Sequence, residues 1–171
     1  MTAQEVAPAI LGFDQFVRER GRALWRAAWL LTGDGHHAED LVQAALAKCY
    51  GRYDQIADDA GFEAYVRKAI YRTYVSWWRR MSWRSEIPAE LVPDRPTGPF
   101  DQFLRVDLLR ALDELPRMQR AVLVLQFFED RSLDEIGGLL GISTGSVKTH
   151  SHRGRTALRG SLHLADQGVN R

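Results

Sequence analysis

The chain has 171 residues, 45% of them apolar and 26% charged, enough for one packed domain or two small ones and too apolar for a disordered polymer. Its formal charge is only +1, so it lacks the excess of cations that a protein gripping nucleic acid unaided needs to neutralise phosphates. One cysteine, Cys49, excludes an internal disulfide and a multi-cysteine zinc site. The opening MTAQEVAPAILGFDQF has no basic n-region and no long apolar run, so neither a signal peptide nor membrane insertion is expected, and a cytoplasmic location is. From about Ala9 to Leu31 the apolar residues Phe13, Phe16, Val17, Leu24, Trp25, Ala28 and Leu31 recur at helical spacing. Thr32-Gly33-Asp34-Gly35 ends that helix. A second helix is expected from about His37 to Arg52, with Ala38, Leu41, Val42, Ala45, Leu46 and Tyr50 inward and Glu39, Asp40, Gln43 and Lys48 outward. Asp54 to Gly61 is a polar break.

A third helix is expected from about Phe62 to Trp83, with Tyr65, Val66, Ala69, Ile70, Thr73 and Trp77 as its buried stripe. Its other side carries Arg67, Lys68, Tyr71, Arg72, Trp78, Arg79 and Arg80. The run YRTYVSWWRRMSWR, Tyr71 to Arg84, mixes rings with arginines, which is what unpaired nucleic acid requires: bases stack on rings at about 1–3 kcal/mol each while cations hold the backbone. Burial of those rings as ordinary core competes with that assignment; Trp77 is placed in the core and Trp78 is left open. Periodicity then stops from Arg84 to Gly98, where Pro88, Pro93, Pro96 and Pro99 with Gly98 mark a tether made acidic by Glu86, Glu90 and Asp94.

Beyond the tether Phe103, Val106, Leu109 and Leu112 resume the helical pattern, and Pro116 opens a further helix with Val122, Leu123, Leu125, Phe127 and Phe128 as core. Ser132 to Leu162 reads as a helix-turn-helix. Leu133, Ile136 and Leu140 make one apolar face, Gly141 stands where a left-handed cap is wanted, Ile142 plugs the turn, and Ser143 or Thr144 caps the next helix. On that second helix Val147, Ser151, Gly154 and Leu158 share one face; Lys148, Thr149, His152, Arg153 and Arg159 lie opposite. No acidic residue occurs from Ile136 through Ala165, and an acid-free basic helix after a tight turn suits a DNA major groove.

Catalysis has little support. His36 and His37 are adjacent, His150 and His152 do not share a face, and no nucleophile elbow or phosphate loop occurs. Cys49 sits on an apolar face as a small core residue, and Asp58-Asp59 is a lone acidic pair of the kind that is usually solvated. The chain is therefore expected to be all-α: two small helical domains joined by a proline-rich linker, with no enzyme activity, no cofactor and no metal.

These motifs together resemble the sigma-70 family of bacterial transcription initiation factors, in its small extracytoplasmic-function group, over roughly Phe13 to Leu162. Ala38 to Ile56 is similar to the clamp-binding helix of conserved region two, and Phe62 to Arg80 to the helix that opens and reads the minus-ten element. Leu109 to Leu158, with its LPxxQRxVLxLxxxE pattern before the helix-turn-helix, is similar to region four, which reads the minus-thirty-five element. The WWRR run resembles an actinobacterial subset. The resemblance implies region two over 9–83, a linker over 84–100 and region four over 101–164.

It also implies partners: core RNA polymerase through its clamp helices and flap region, promoter DNA both duplex and single-stranded, and an anti-sigma factor. By position, Asp40 and Gln43 match the polymerase-docking face, and Arg67, Lys68, Tyr71, Arg72, Trp78, Arg79 and Arg80 the minus-ten helix. Lys148, Thr149, His152 and Arg153 match base-reading positions and Ser146 and Arg155 phosphate-side positions. The acidic linker would thread the polymerase's basic channel. Three departures stand out: Arg72 where asparagine is usual, Ser76 where aspartate is common, and Ala44 in place of a glutamate. They bear on minus-ten specificity and leave the role intact. Ser151 is more polar than the usual core residue there, which would loosen its helix. A stand-alone helix-turn-helix regulator is the rival; the aromatic and basic third helix argues against it.

Overall fold

The computed structural model describes residues 7–56, 58–82 and 106–168. The tether, with Glu86, Glu90 and Asp94, lies outside the described residues. The chain forms two compact units that divide between Pro93 and Asp94, and every described regular element is helical.

The first unit packs three helices, α1 (Ala7–Thr32), α2 (Gly35–Cys49) and α3 (Asp59–Ser82), each against the other two. Phe16, Leu24, Leu31, Leu41, Val66 and Ile70 are fully buried among them. The α1–α2 turn is set by short-range polar chemistry. Gly33 takes the left-handed φ of 71°, and the Asp34 carboxylate accepts from the backbone N–H of His36 and His37 at 2.7 and 3.2 Å. That cap starts α2 at Gly35, earlier than the expected His37. The helix also ends sooner than expected: after Cys49 the backbone tightens into a 3₁₀ turn, Tyr50–Gln55. The tightening brings the rings of Tyr50 and Tyr53 edge-on to Phe13, with centroids 4.8 and 5.7 Å away, so Tyr50 leaves the inward face assigned to it.

The acidic pair before α3 is not merely solvated. Asp58 caps the helix by accepting from Gly61 N–H at 2.6 Å, and Asp59 accepts from the Tyr53 hydroxyl at 3.3 Å. The buried stripe of α3 runs through Phe62, Val66, Ile70, Tyr71, Thr73 and Val75. It is rotated from the expected one: Tyr65 is 40% exposed and Trp77 half-buried, because α3 is flanked by α1 as well as α2 and its buried arc follows both.

One ion-pair cluster ties α1 to α3. Glu63 receives Arg20 at 2.7 Å and Arg67 at 2.9 Å, with its own side chain only 14% exposed. Removing the carboxylate withdraws the counter-charge of two guanidiniums at once. Glu63→Ala is expected to destabilise the first unit by about 1–3 kcal/mol. Urea unfolding of the full chain checks it; a variant as stable as the parent would show that these pairs contribute nothing.

The second unit comprises α4 (Val106–Asp113), α5 (Arg117–Leu123) running into a π-helical turn (Val124–Phe128), α6 (Leu133–Leu140) and α7 (Thr144–Gly168). Helix α7 packs on α4, α5 and α6. Pro116 precedes the first turn of α5, and the buried Arg120 reaches back to Asp113 at 2.7 Å. In the π turn the Glu129 N–H bonds Val124 C=O at 3.2 Å, five residues back. The extra residue per turn swings Phe127 out to 55% exposure and leaves Phe128 half-buried, where a regular helix would have placed both in the core.

Candidate nucleic-acid interface

The helix-turn-helix is built from its caps. Ser132 and Glu135 form a reciprocal capping box at the start of α6. Gly141 closes that helix at φ 69°, and Ile142 N–H bonds Gly137 C=O at 3.0 Å. Ser143, rather than Thr144, caps α7: its hydroxyl accepts from Ser146 N–H at 3.1 Å. Thr144 does something that the spacing did not reveal. Its hydroxyl donates to Asp134 at 2.7 Å, pinning the start of α7 to the first turn of α6.

The two faces of α7 separate as the spacing predicts. Val147 and Ser151 are buried and Leu158 is half-buried. Gly154 is buried because a Cβ there would lie 2.9 Å from Leu123 Cδ1, so the glycine allows α7 to close on α5. Ser151 does not loosen the helix. It donates to the side-chain amide oxygen Oε1 of Gln126 at 2.6 Å, so a residue of the π turn supplies the acceptor that a buried hydroxyl needs.

Opposite them Lys148, Thr149, His152 and Arg153 are exposed on one face, and Arg155 is exposed beside them. The side chains of Lys148, His152 and Arg153 make no hydrogen bond or ion pair among the described residues, so their donors are free for a ligand. Ser146 is half-buried and partly engaged, receiving the hydroxyl of Ser143 at 2.9 Å.

On the first unit, α2 and α3 border a pocket of about 580 Å³ lined by Lys48, Tyr65, Lys68, Arg72, Thr73 and Ser76. Lys48 is held there by a 3.1 Å bond to the buried Thr73 hydroxyl. No carboxylate lines the pocket. Of the expected minus-ten residues, Lys68 and Arg72 are brought to this pocket, and Arg80 lies beside it, bonded to Ser76 at 3.3 Å. Arg79 is exposed and Trp78 half-buried. Two assignments need correction. Tyr71 is 1% exposed and belongs to the core, because α3 buries that position as well as Ile70. Arg67 is turned to Glu63 in the cluster that ties α3 to α1. Lys48, Tyr65 and Thr73 were missed as site residues. Lys48 was read only as an outward residue of the second helix, and the join between α2 and α3 leaves no mark in local spacing.

Asp40 and Gln43 are exposed on α2 and have no partner among the described residues. Burial pushes the Cys49 thiol up, with Lys48 pulling it partly back. Among the described residues no helix is long and apolar enough to cross a membrane.

Residues 16–84 match the family described as Sigma-70 region 2, and residues 105–158 the family described as Sigma-70, region 4. The chain is 38% identical over 162 residues to the RNA polymerase sigma-E factor of Streptomyces avermitilis, covering 92% of this chain and 88% of that one. The chain belongs to the sigma-70 family. Its extracytoplasmic-function relatives include the factor SigE of Mycolicibacterium smegmatis, 33% identical over 90% of this sigma factor and 63% of that protein. The fold is similar to that of the sigma factor RpoE solved with the anti-sigma factor NepR from Bartonella quintana, at a TM-score of 0.64 and 22% identity, covering 90% of this chain and 98% of that one. It is also similar to CnrH solved with the cytosolic domain of CnrY, at a TM-score of 0.54 and 22% identity over 92% and 94% of the two chains.

Proposed function

We propose that this sigma factor divides promoter recognition between its two units: region two over 9–83 docks on core RNA polymerase and holds the melted minus-ten strand, and region four over 101–164 reads the minus-thirty-five duplex. The observation that carries the reading is the outer face of α7, where Lys148, Thr149, His152 and Arg153 stand together on a helix fixed by the Ser143 cap and by the Thr144–Asp134 bond. A rigid helix with free donors and no acid before Asp166 can enter a major groove and present those donors to base edges. The pocket of Lys48, Lys68 and Arg72 supplies what a single strand needs: cations for phosphates and, in Tyr65, a ring for a base. Asp40 and Gln43 are the docking face for the polymerase clamp. The flap region is the expected partner of the second unit, and an anti-sigma factor is a further partner.

The work of such a protein is binding energy, and no covalent step is assigned to it. Its place is the cytoplasm, with the polymerase. The net charge of +1 fits a subunit that grips promoters only as part of a holoenzyme.

Run-off transcription on a promoter library, with this chain added to core polymerase, tests the reading; a gel shift as strong without core enzyme as with it would favour the stand-alone regulator instead. Arg153→Ala is expected to relax preference at one or two positions of the minus-thirty-five element, with a loss of about 1–3 kcal/mol of discrimination. Lys148→Ala should weaken binding by about tenfold or less across sequences. Library profiles indistinguishable from the parent's in both variants would remove α7 from the role.

A further inference from the structure

Where α7 lies on α5 and the π turn, residues at three- and four-residue spacing make the join: Gln119, Leu123 and Gln126 on one side, Ser151 and Gly154 on the other. Gly154 brings the two backbones close, since a Cβ there would stand 2.9 Å from Leu123 Cδ1 and 3.5 Å from Gln119 Cβ. One turn earlier on α7 the contact is polar. Ser151, only 2% exposed, donates its hydroxyl to Oε1 of the half-buried Gln126 at 2.6 Å. Ser151 is also a reference point for the outer face, because its carbonyl oxygen accepts from Arg155 Nε at 3.4 Å. The base-facing residues straddle it, with Lys148 and Thr149 before and His152 and Arg153 after.

We infer that Gln126 is a positioning residue for base reading: by holding the Ser151 hydroxyl it keeps the two pairs of readers on α7 in one register along the groove. The inference rests on the proposed role of α7 in reading the minus-thirty-five duplex. A serine or threonine inside a helix has a second acceptor at hand, the carbonyl four residues back, and bonding to it bends the helix. On α7 the exposed Thr149 and Thr156 make that bond, to the carbonyls of Gly145 and His152 at 3.1 and 3.0 Å. For Ser151 the carbonyl four residues back is that of Val147, on the buried side of the helix. Gln126 Oε1 takes the hydroxyl hydrogen instead. Without that oxygen, a buried O–H is left unsatisfied unless it turns back on Val147. The resulting bend falls between Val147 and Ser151, so it swings His152 and Arg153 relative to Lys148 and Thr149. A reader displaced by about 1 Å is too loose to keep its discrimination.

The experiment uses holoenzyme assembled from core polymerase and the full chain, binding a DNA library varied across the minus-thirty-five element. Gln126→Met keeps the length of the side chain and removes its oxygen. The expected result is a loss of about fivefold or more in base preference at the positions that Arg153→Ala relaxes. Affinity for non-promoter DNA stays within about twofold of the parent's, because phosphate contacts carry it. Gln126→Ala removes the same oxygen and relaxes the same positions, so the test does not hang on one variant. Gln126→Met combined with Ser151→Ala leaves no hydroxyl to turn back and recovers the parent's profile. Gln126→Glu keeps an acceptor oxygen at the same reach and keeps the profile, while its negative charge lowers affinity for all sequences, most at low salt. If Gln126→Met and Gln126→Ala lower the urea midpoint and leave the base profile unchanged, the bond only stabilises the unit; the positioning role is overturned and α7 remains the reading helix. The role is overturned as well if the double variant is as relaxed as Gln126→Met, since the stranded hydroxyl is then not the cause. If Arg153→Ala itself leaves the profile unchanged, α7 is not the reader and the inference falls with that reading. Native helicity of each variant by circular dichroism separates these outcomes from misfolding.

Discussion

Gly137→Ala is expected to cost the second unit its DNA-reading hairpin. A Cβ at that position would stand 2.8 Å from the carbonyl oxygen of Ile142 and 3.7 Å from the nitrogen of Thr144. Both are backbone atoms of the turn that joins α6 to α7, so no rotamer change relieves the contact. The same carbonyl belongs to the tight turn that Gly141 closes at φ 69° and that Ile142 N–H fastens to Gly137 C=O. Overpacking against backbone falls at the upper end of its usual range, about 3 kcal/mol or more. The neighbouring Gly138 is a built-in control. Nothing lies within 4 Å of its Cβ position and it sits inside α6, so Gly138→Ala should stabilise the helix by about 0.5–1 kcal/mol. Urea unfolding of the full chains followed by helicity, together with transcription from a promoter dependent on its minus-thirty-five element, reads both. Equal midpoints for the two alanine variants would mean that the turn relaxes freely and that its geometry is not what positions α7.

Asp40→Arg is expected to weaken core polymerase binding by about a hundredfold, or about 3 kcal/mol, without disturbing the fold. Asp40 and Gln43 are three apart on the exposed side of α2, and their side chains make no hydrogen bond or ion pair among the described residues, so a charge reversal has no pair there to break. At a docked surface the same reversal puts like charges together, which costs several kcal/mol. Titration of labelled chain with core enzyme measures the loss, and circular dichroism verifies the helices. Glu39→Arg reverses a charge one position further round α2 and should cost much less. Parent-like affinity for Asp40→Arg, or equal losses for both variants, would move the docking face elsewhere.

Much of the second unit was legible before its structure. Gly141, the apolar spacing of Leu133, Ile136 and Leu140, and the acid-free outer face of α7 are signals that act within a few residues of each other, and the backbone obeys them directly. The choice between Ser143 and Thr144 as cap was not legible. Either hydroxyl can serve locally, and Asp134, ten residues earlier, decides it by engaging Thr144. Phe127 was assigned to the core because a regular helix would carry it there. The five-residue backbone bond of the π turn, which periodicity assumes away, puts it outside.

For the whole chain, local chemistry determined which segments are helices, where most of them stop and which face of α7 is polar, because capping, left-handed glycines and apolar spacing depend on neighbours along the chain. Only packing decided which side of α3 is the outside. Its residues are apolar or aromatic on more than one flank, and two neighbours, α1 and α2, compete for them; the outcome buries Tyr71 and frees Tyr65. Packing alone also made the pocket, since Lys48 meets Thr73 from 25 residues away. A site whose cations come from two helices has no period in either of them, and it exists only once those helices have been brought side by side.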